Sequence, residues 1–166
     1  MEGEAALYKE LKDRLLTIKE IKHVGLFNNQ YEREQEEKQL ILPAVFVQIQ
    51  GNDFRDRGGA LKLQDYMTTV TLHIGFNSKA TDDIKILTLK QLIYRSIHGF
   101  RPITESKNLG VLKRVAERQN FDHDNLHLYE QDYTCIIQDF DADTAEVKSR
   151  TINPNINATF EEEITN

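Results

Sequence analysis

From Glu4 to about Lys22, Leu7, Leu11, Leu15 and Ile18 recur at spacings of four, four and three, the stripe of an amphipathic helix, with Gly25 as its stop. Val24 to Phe27 reads as a short extended piece. The run Glu32-Arg33-Glu34-Gln35-Glu36-Glu37-Lys38 has no apolar face and reads as a solvated loop. After Pro43, Val45, Val47 and Ile49 share one face of a strand that Gly51 ends. The charged, turn-rich stretch from Asn52 to Gly59 then predicts the loop of a long hairpin. Its second arm carries the clearest period-two pattern in the chain: Tyr66, Thr68, Val70, Leu72, Ile74 and Phe76 alternate with Met67, Thr69, Thr71, His73 and Gly75.

Thr81 is the expected N-cap of a second helix, with Asp82 and Asp83 at the positive end of its dipole. Ile86, Leu89, Ile93 and Ile97 form its apolar stripe, and Gly99 and Pro102 stop it. Gly110 to Val115 reads as a strand. A last strand spans Leu128 to Gln138, with Tyr129, Tyr133, Cys135 and Ile137 on one face. Short strand-to-strand connections favour an α+β fold: a mostly four-stranded antiparallel sheet, both helices on one face, a long β-hairpin loop and an extended C-terminal arm.

The composition fits that reading. A chain of 166 residues, 39% hydrophobic and 29% charged, suits one domain with its own core. The expected domain is 1–140, followed by an acidic C-terminal extension over 141–166, either an arm or a disordered tail. The net charge is −6. Six acidic side chains against Lys148 and Arg150 put −4 of it in the extension, leaving −2 for the domain. That balance argues against a dedicated nucleic-acid binder, which clusters Lys and Arg to neutralise phosphates. Met1 to Glu10 does not resemble a secretory signal, and no stretch approaches the roughly 20 apolar residues of a membrane span. An intracellular site of synthesis is therefore expected.

Catalytic and metal chemistry find little footing. His123 lies between Asp122 and Asp124, but neighbouring residues of an extended chain point apart, so a turn with self-bonded Asx side chains explains them better. Asp139, Asp141 and Asp143 imitate the start of an EF-hand loop. Thr144 stands where that loop needs Gly, and Arg150 where it needs Glu. Cys135, the sole cysteine, has no nucleophile signature around it, and no G-x-S-x-G, Walker or G-x-G-x-x-G motif occurs. Asn157-Ala158-Thr159 matches a glycosylation acceptor, which without a secretory route is chance. No catalytic residue, metal site or cofactor is expected, and the chain is not expected to be an enzyme.

Several phrases together resemble the tail terminator family of tailed phages, the group that includes minor tail protein U. They are Leu42-Pro43-Ala44-Val45-Phe46-Val47, Thr69-Val70-Thr71-Leu72-His73-Ile74, Ile97-His98-Gly99-Phe100, Gly110-Val111-Leu112-Lys113-Arg114-Val115, Asp122-His123-Asp124-Asn125-Leu126 and Tyr129-Glu130-Gln131-Asp132-Tyr133. The resemblance covers about Leu7 to Phe140. It implies an α+β subunit, phage- or prophage-encoded, made in the bacterial host cytoplasm and carried in the virion tail. Such a subunit forms a ring with itself, a hexamer being one candidate, caps the tail tube and ends its polymerisation. It also presents the head–tail joining surface to connector proteins, with DNA only passing through and no membrane partner. On this reading Asp53, Arg55, Asp56 and Arg57 of the hairpin would contact neighbouring subunits or the tube, an exposed mobile loop being the plain alternative. Two rivals stay open: another neck or tail-completion protein, and a small ligand-binding or enzymatic domain using His73, His123 or His127.

Overall fold

A computed structural model describes residues 3–31, 40–57, 63–77, 82–102, 109–120 and 126–139, apart from the side chain at position 63. The elements run α1 (Gly3–Leu15), β1 (His23–Leu26), β2 (Ala44–Arg57), β3 (Leu63–Asn77), α2 (Asp83–Ile97), β4 (Lys113–Asn120) and β5 (Leu126–Asp139). The class is α+β, as expected. The sheet has five strands rather than four, in the order β1-β2-β3-β5-β4, and it is mixed. All neighbours are antiparallel except β1, which runs parallel to β2 with His23 opposite Ala44 and Leu26 opposite Val47. The chain between Leu26 and Ala44 is long enough for the crossover that a parallel neighbour requires.

Apolar periodicity explains which side is covered. Leu7, Leu11 and Leu15 of α1 and Ile86, Leu89, Ile93 and Ile97 of α2 share one cluster with Val45, Val47, Val70, Leu72, Ile74, Phe76, Tyr133, Cys135 and Ile137. Alternate residues of β2, β3 and β5 thus face the helices. Each buried Leu or Ile of this set contributes roughly 1.5–3 kcal/mol relative to an exposed one. α2 is capped by Asp82, whose side chain accepts from the Ile84 N–H at 3.0 Å. The cap is therefore one residue later than Thr81, which lies outside the described residues. Gly99, at φ 79°, ends the helix in the left-handed region, and its N–H donates to Leu112 O at 2.8 Å.

The opposite, outer face departs from the expectation of a sheet covered on one side only. Phe27, Tyr31, Leu40 and Leu42, from the β1–β2 connection, pack there with Ala44, Phe46, Leu126 and Leu128 as a second cluster. Gly75 makes this possible: a Cβ at that position would lie 2.4 Å from Tyr31 Cε1. The Tyr31 hydroxyl lies 3.2 Å from Ala44 O and 3.1 Å from His73 O, and the ring meets Phe46 edge-on.

Three boundaries also differ. α1 ends at Leu15, not near Lys22, because tight i→i+3 bonds from Thr17 to Arg14 O and Ile18 to Leu15 O turn the chain toward the sheet. Gly25 consequently sits inside β1 rather than stopping a helix. β2 does not end at Gly51. It continues to Arg57 because pairing with β3 resumes at Arg55–Asp65 after a bulge, and Asp53, at φ 53°, absorbs the turn character that its neighbours advertise. The strand expected over 110–115 begins at Lys113, since Leu109 makes only an isolated bridge to Ile137 and Gly110 N–H donates to Ile136 O. β5 starts at Leu126, two residues before the expected Leu128. The charged run 32–38, the residues 58–59 and 122–125 and the extension 141–166 lie outside the described residues.

Candidate functional site

Asp53, Arg55, Asp56 and Arg57 all lie exposed at the outer end of β2, on a strand rather than a loop. Their charges are answered within the hairpin. Arg55 Nη2 lies 2.5 Å from Asp53 Oδ2, and this hydrogen bond, then the charge itself, raises the Arg55 guanidinium above its ordinary value. Asp56 Oδ1 accepts from Gln64 Nε2 at 3.0 Å. Arg57 Nε donates to Oδ2 of Asp65, a carboxylate only 6% exposed, whose Oδ1 has no hydrogen-bond partner among the described residues. The exposed Arg55–Asp53 pair is screened by solvent and adds little to stability. Between them Phe54 stands 56% exposed, its ring stacked on Tyr66 at 4.8 Å. Gly51 admits this packing, because a Cβ there would lie 2.8 Å from Phe54 Cζ. The hairpin is thus a stiff arm, neutral overall, with one apolar ring near its end.

A second constellation crosses the outer face. The register puts Phe46, His73, Glu130 and Arg118 in one row and Gln48, Thr71, Asp132 and Ala116 in the next. Arg118 bridges the rows: its Nε lies 2.5 Å from Glu130 Oε2, and its Nη1 donates to Asp132 Oδ2. Asp132 Oδ1 accepts from Thr71 Oγ1 at 2.7 Å. The Asp132 hydrogen bond is the main cause raising the Arg118 guanidinium. His73 Nε2 lies 2.9 Å from Gln48 Oε1, and Phe27 stacks flat on the imidazole at 3.6 Å. Its Nδ1 approaches Glu130 Oε1 to 3.3 Å without the alignment of a hydrogen bond. Burial is the largest influence on His73 and lowers its pKa; Arg118 acts in the same direction, while Glu130 and Asp132 oppose them. With 5% exposure and an aromatic lid, this imidazole has no face to offer a substrate.

The helix-side face holds a third network. Tyr133 donates to Gln131 Oε1 at 2.8 Å, and Gln131 Nε2 donates to Lys90 O and to Glu117 Oε2. Lys90 Nζ and Arg114 Nη1 reach Glu117 at 2.6 and 2.9 Å while lying over the rings of Tyr129 and Tyr94. These bonds pin β4 to α2. Burial drives the Tyr133 hydroxyl far above its ordinary range, so it stays a donor, and pushes the Cys135 thiol up to about 11.

Of the three histidines of the ligand-binding rival, the two that are described do not converge. His73 faces outward from the sheet, His127 pairs with Phe76 on the helix side, and His123 lies outside the described residues. Sequence reading missed the Gln48-Thr71-His73-Arg118-Glu130-Asp132 group. Its one signal is the alternation of polar residues along β3 and β5, which shows a shared face without showing the register that joins them. Among the described residues no group of three or more His, Cys, Asp or Glu is placed to hold a metal ion. No helix among them is long and apolar enough to cross a membrane. The sequence matches no protein-family model and no curated protein.

Proposed function

We propose that the protein is a tail-end structural subunit of a tailed phage or prophage. Copies of it form a ring that caps the tail tube, ends tube polymerisation and presents the surface that connector proteins meet. Two lines support this reading: the resemblance of its sequence phrases to tail terminators, and the hairpin, the single observation that carries it. Beyond Gly51 every residue of β2 is exposed, yet the arm is braced by pairing with β3, by the Arg57–Asp65 pair and by the Phe54–Tyr66 stack. An exposed strand end backed by β3 and β5 suits contact with another macromolecule better than solvent alone.

Negative-stain imaging of the protein with assembled tail tubes, alongside sedimentation, tests the proposal. Rings seated on tube ends are expected. A monomer at high concentration with tubes present would refute ring formation, and rings that ignore tubes would favour another neck or tail-completion protein. Arg55→Glu is expected to weaken assembly with an unchanged melting temperature. Arg57→Glu is a poorer probe, because it places a second carboxylate beside buried Asp65.

A further inference from the structure

Apart from the outer side of the four-residue β1, two backbone edges of the sheet have no strand partner among the described residues. One is the outer edge of β4. The other belongs to β2: β1 pairs only with Ala44–Val47, so everything from Gln48 onward has no strand on that side. The local cause is clear. Phe27 N–H makes a last bond to Val47 O, and then Asn29, at φ 52°, turns the chain off the edge and over the outer face. Gln30 fixes this turn, its side chain bonding Asn28 N–H and Leu26 O.

The two edges fit each other. Along the sheet β2, β3, β5 and β4 alternate in direction, so β4 runs opposite to β2. A second copy placed side by side in the same orientation therefore brings its β4 antiparallel to the first copy's β2, with both pairs of helices on one side. Each edge also contains one bulge, between Asn52 and Arg55 in β2 and between Arg114 and Ala116 in β4. Pairing Asn52 with Ala116 and Ile49 with Gln119 joins two regular stretches and sets both bulges at the same end. Face parity agrees, because Gln50 and Asn52 share the outer face with Arg118 and Ala116. The length agrees too: β4 ends at Asn120, level with Gln48, one residue short of the stretch that β1 occupies. At the bulged end, Val115 (60% exposed) arrives near Phe54, and Lys113 comes level with Arg55, whose guanidinium is already paired with Asp53.

We infer that the partner of these edges is a second copy of this chain, bound head to tail through a β2–β4 strand pair. The inference rests on the ring proposed above and supplies its interface. Such a contact is heterologous, so it closes a ring when the rotation per copy divides the circle, and otherwise gives an open filament. Edge bulges are a common guard against unwanted pairing. Here their shared level confines pairing to one short register.

Asn52→Cys and Ala116→Cys proteins, each folded by circular dichroism, are mixed under mild oxidation with the tail tubes that support assembly. A disulfide-linked dimer is expected in the mixture and in neither protein alone, with the 52–116 linkage identified by peptide mass spectrometry. On unmodified protein, hydrogen exchange within Ile49–Asn52 and Ala116–Gln119 should slow at least ten-fold on assembly, while the centre of β3 is unchanged. Rings that form without the 52–116 link and without protection in both stretches would overturn the interface while leaving the ring standing. Links of 52 to 52 or 116 to 116 would also overturn it, since they mark a two-fold contact. Absence of any assembly would overturn both proposals together.

Discussion

Replacing Gly75 with Ala tests whether Tyr31 anchors the β1–β2 connection to the outer face. An added Cβ would sit 2.4 Å from Tyr31 Cε1 and 2.7 Å from its Cζ and hydroxyl, so the ring must move by about 1 Å to restore ordinary contact. The ring is 4% exposed and held by its hydroxyl and by Phe46, so it does not yield freely. Overpacking of this kind costs about 1–3 kcal/mol. Gly75 has no positive φ, so the usual gain of ~0.4–1 kcal/mol from a less flexible unfolded chain offsets part of that. The net expectation is a loss of about 1–2 kcal/mol, a fall in melting temperature of roughly 3–8 °C for a chain of this size.

A double-mutant cycle separates this cause from others. Tyr31→Ala alone should cost about 3–4 kcal/mol through the lost ring. In that background the methyl at position 75 has room, so Gly75→Ala should become neutral or stabilising by up to ~1 kcal/mol. The coupling, measured by urea denaturation of all four proteins, is then about 1–3 kcal/mol. Equal effects of Gly75→Ala in both backgrounds, within about 0.5 kcal/mol, would refute the close approach and with it the outer-face cover.

Two further outcomes follow from buried groups. His73 titrates below the ordinary imidazole value in the folded chain, so between about pH 6.5 and its folded pKa the unfolded state binds more protons. Stability should therefore decline as pH falls through that window, and His73→Gln should flatten this part of the curve in denaturation at stepped pH. An unchanged slope would contradict a buried neutral imidazole among Gln48, Arg118, Glu130 and Asp132. Cys135, 5% exposed with its thiol pushed up to about 11, should resist a thiol reagent at pH 8 until denaturant is added. Rapid labelling of native protein would place it elsewhere.

Much of the architecture was legible where one face repeats over many residues. The alternation through Phe76 located β3, and the stripe ending at Ile97 located α2, because burial there is uniform. Elsewhere the deciding contact was not local. Four residues of β1 carry too little pattern to reveal strand direction, and the parallel pairing depends on Val45 and Val47 far along the chain. Asn52–Arg57 reads as a turn because Asn, Asp and Gly favour turns in isolation, whereas the β3 ladder fixes it as a bulged strand. His73 occupies an outward position of β3 and so reads as solvent-facing. Its burial comes from Phe27, brought over the sheet by a turn at Asn29. The hairpin charges, expected on a loop, lie on a bulged strand, and their mutual pairing needed the register.

The division of the outer face bears on the charge argument as well. Where the connection covers it, the sheet supplies Ala44, Phe46, His73 and Gly75. Beyond that row it presents Gln48, Gln50, Asn52, Met67, Thr69, Thr134 and Ile136, none charged, with Met67 and Ile136 paired across strands at 45% and 53% exposure. The charges beside them balance, Lys113 and Arg118 against Glu130 and Asp132. In a chain with 29% charged residues, so uncharged an exposed surface is uncommon. Head-to-tail strand pairing would carry this surface around the whole ring on the side away from the helices. A DNA conduit lined by it would neither attract nor repel phosphates strongly. If the proposed ring passes DNA, its free passage would follow from neutrality of the wall rather than from the net charge of −6, most of which belongs to residues 141–166.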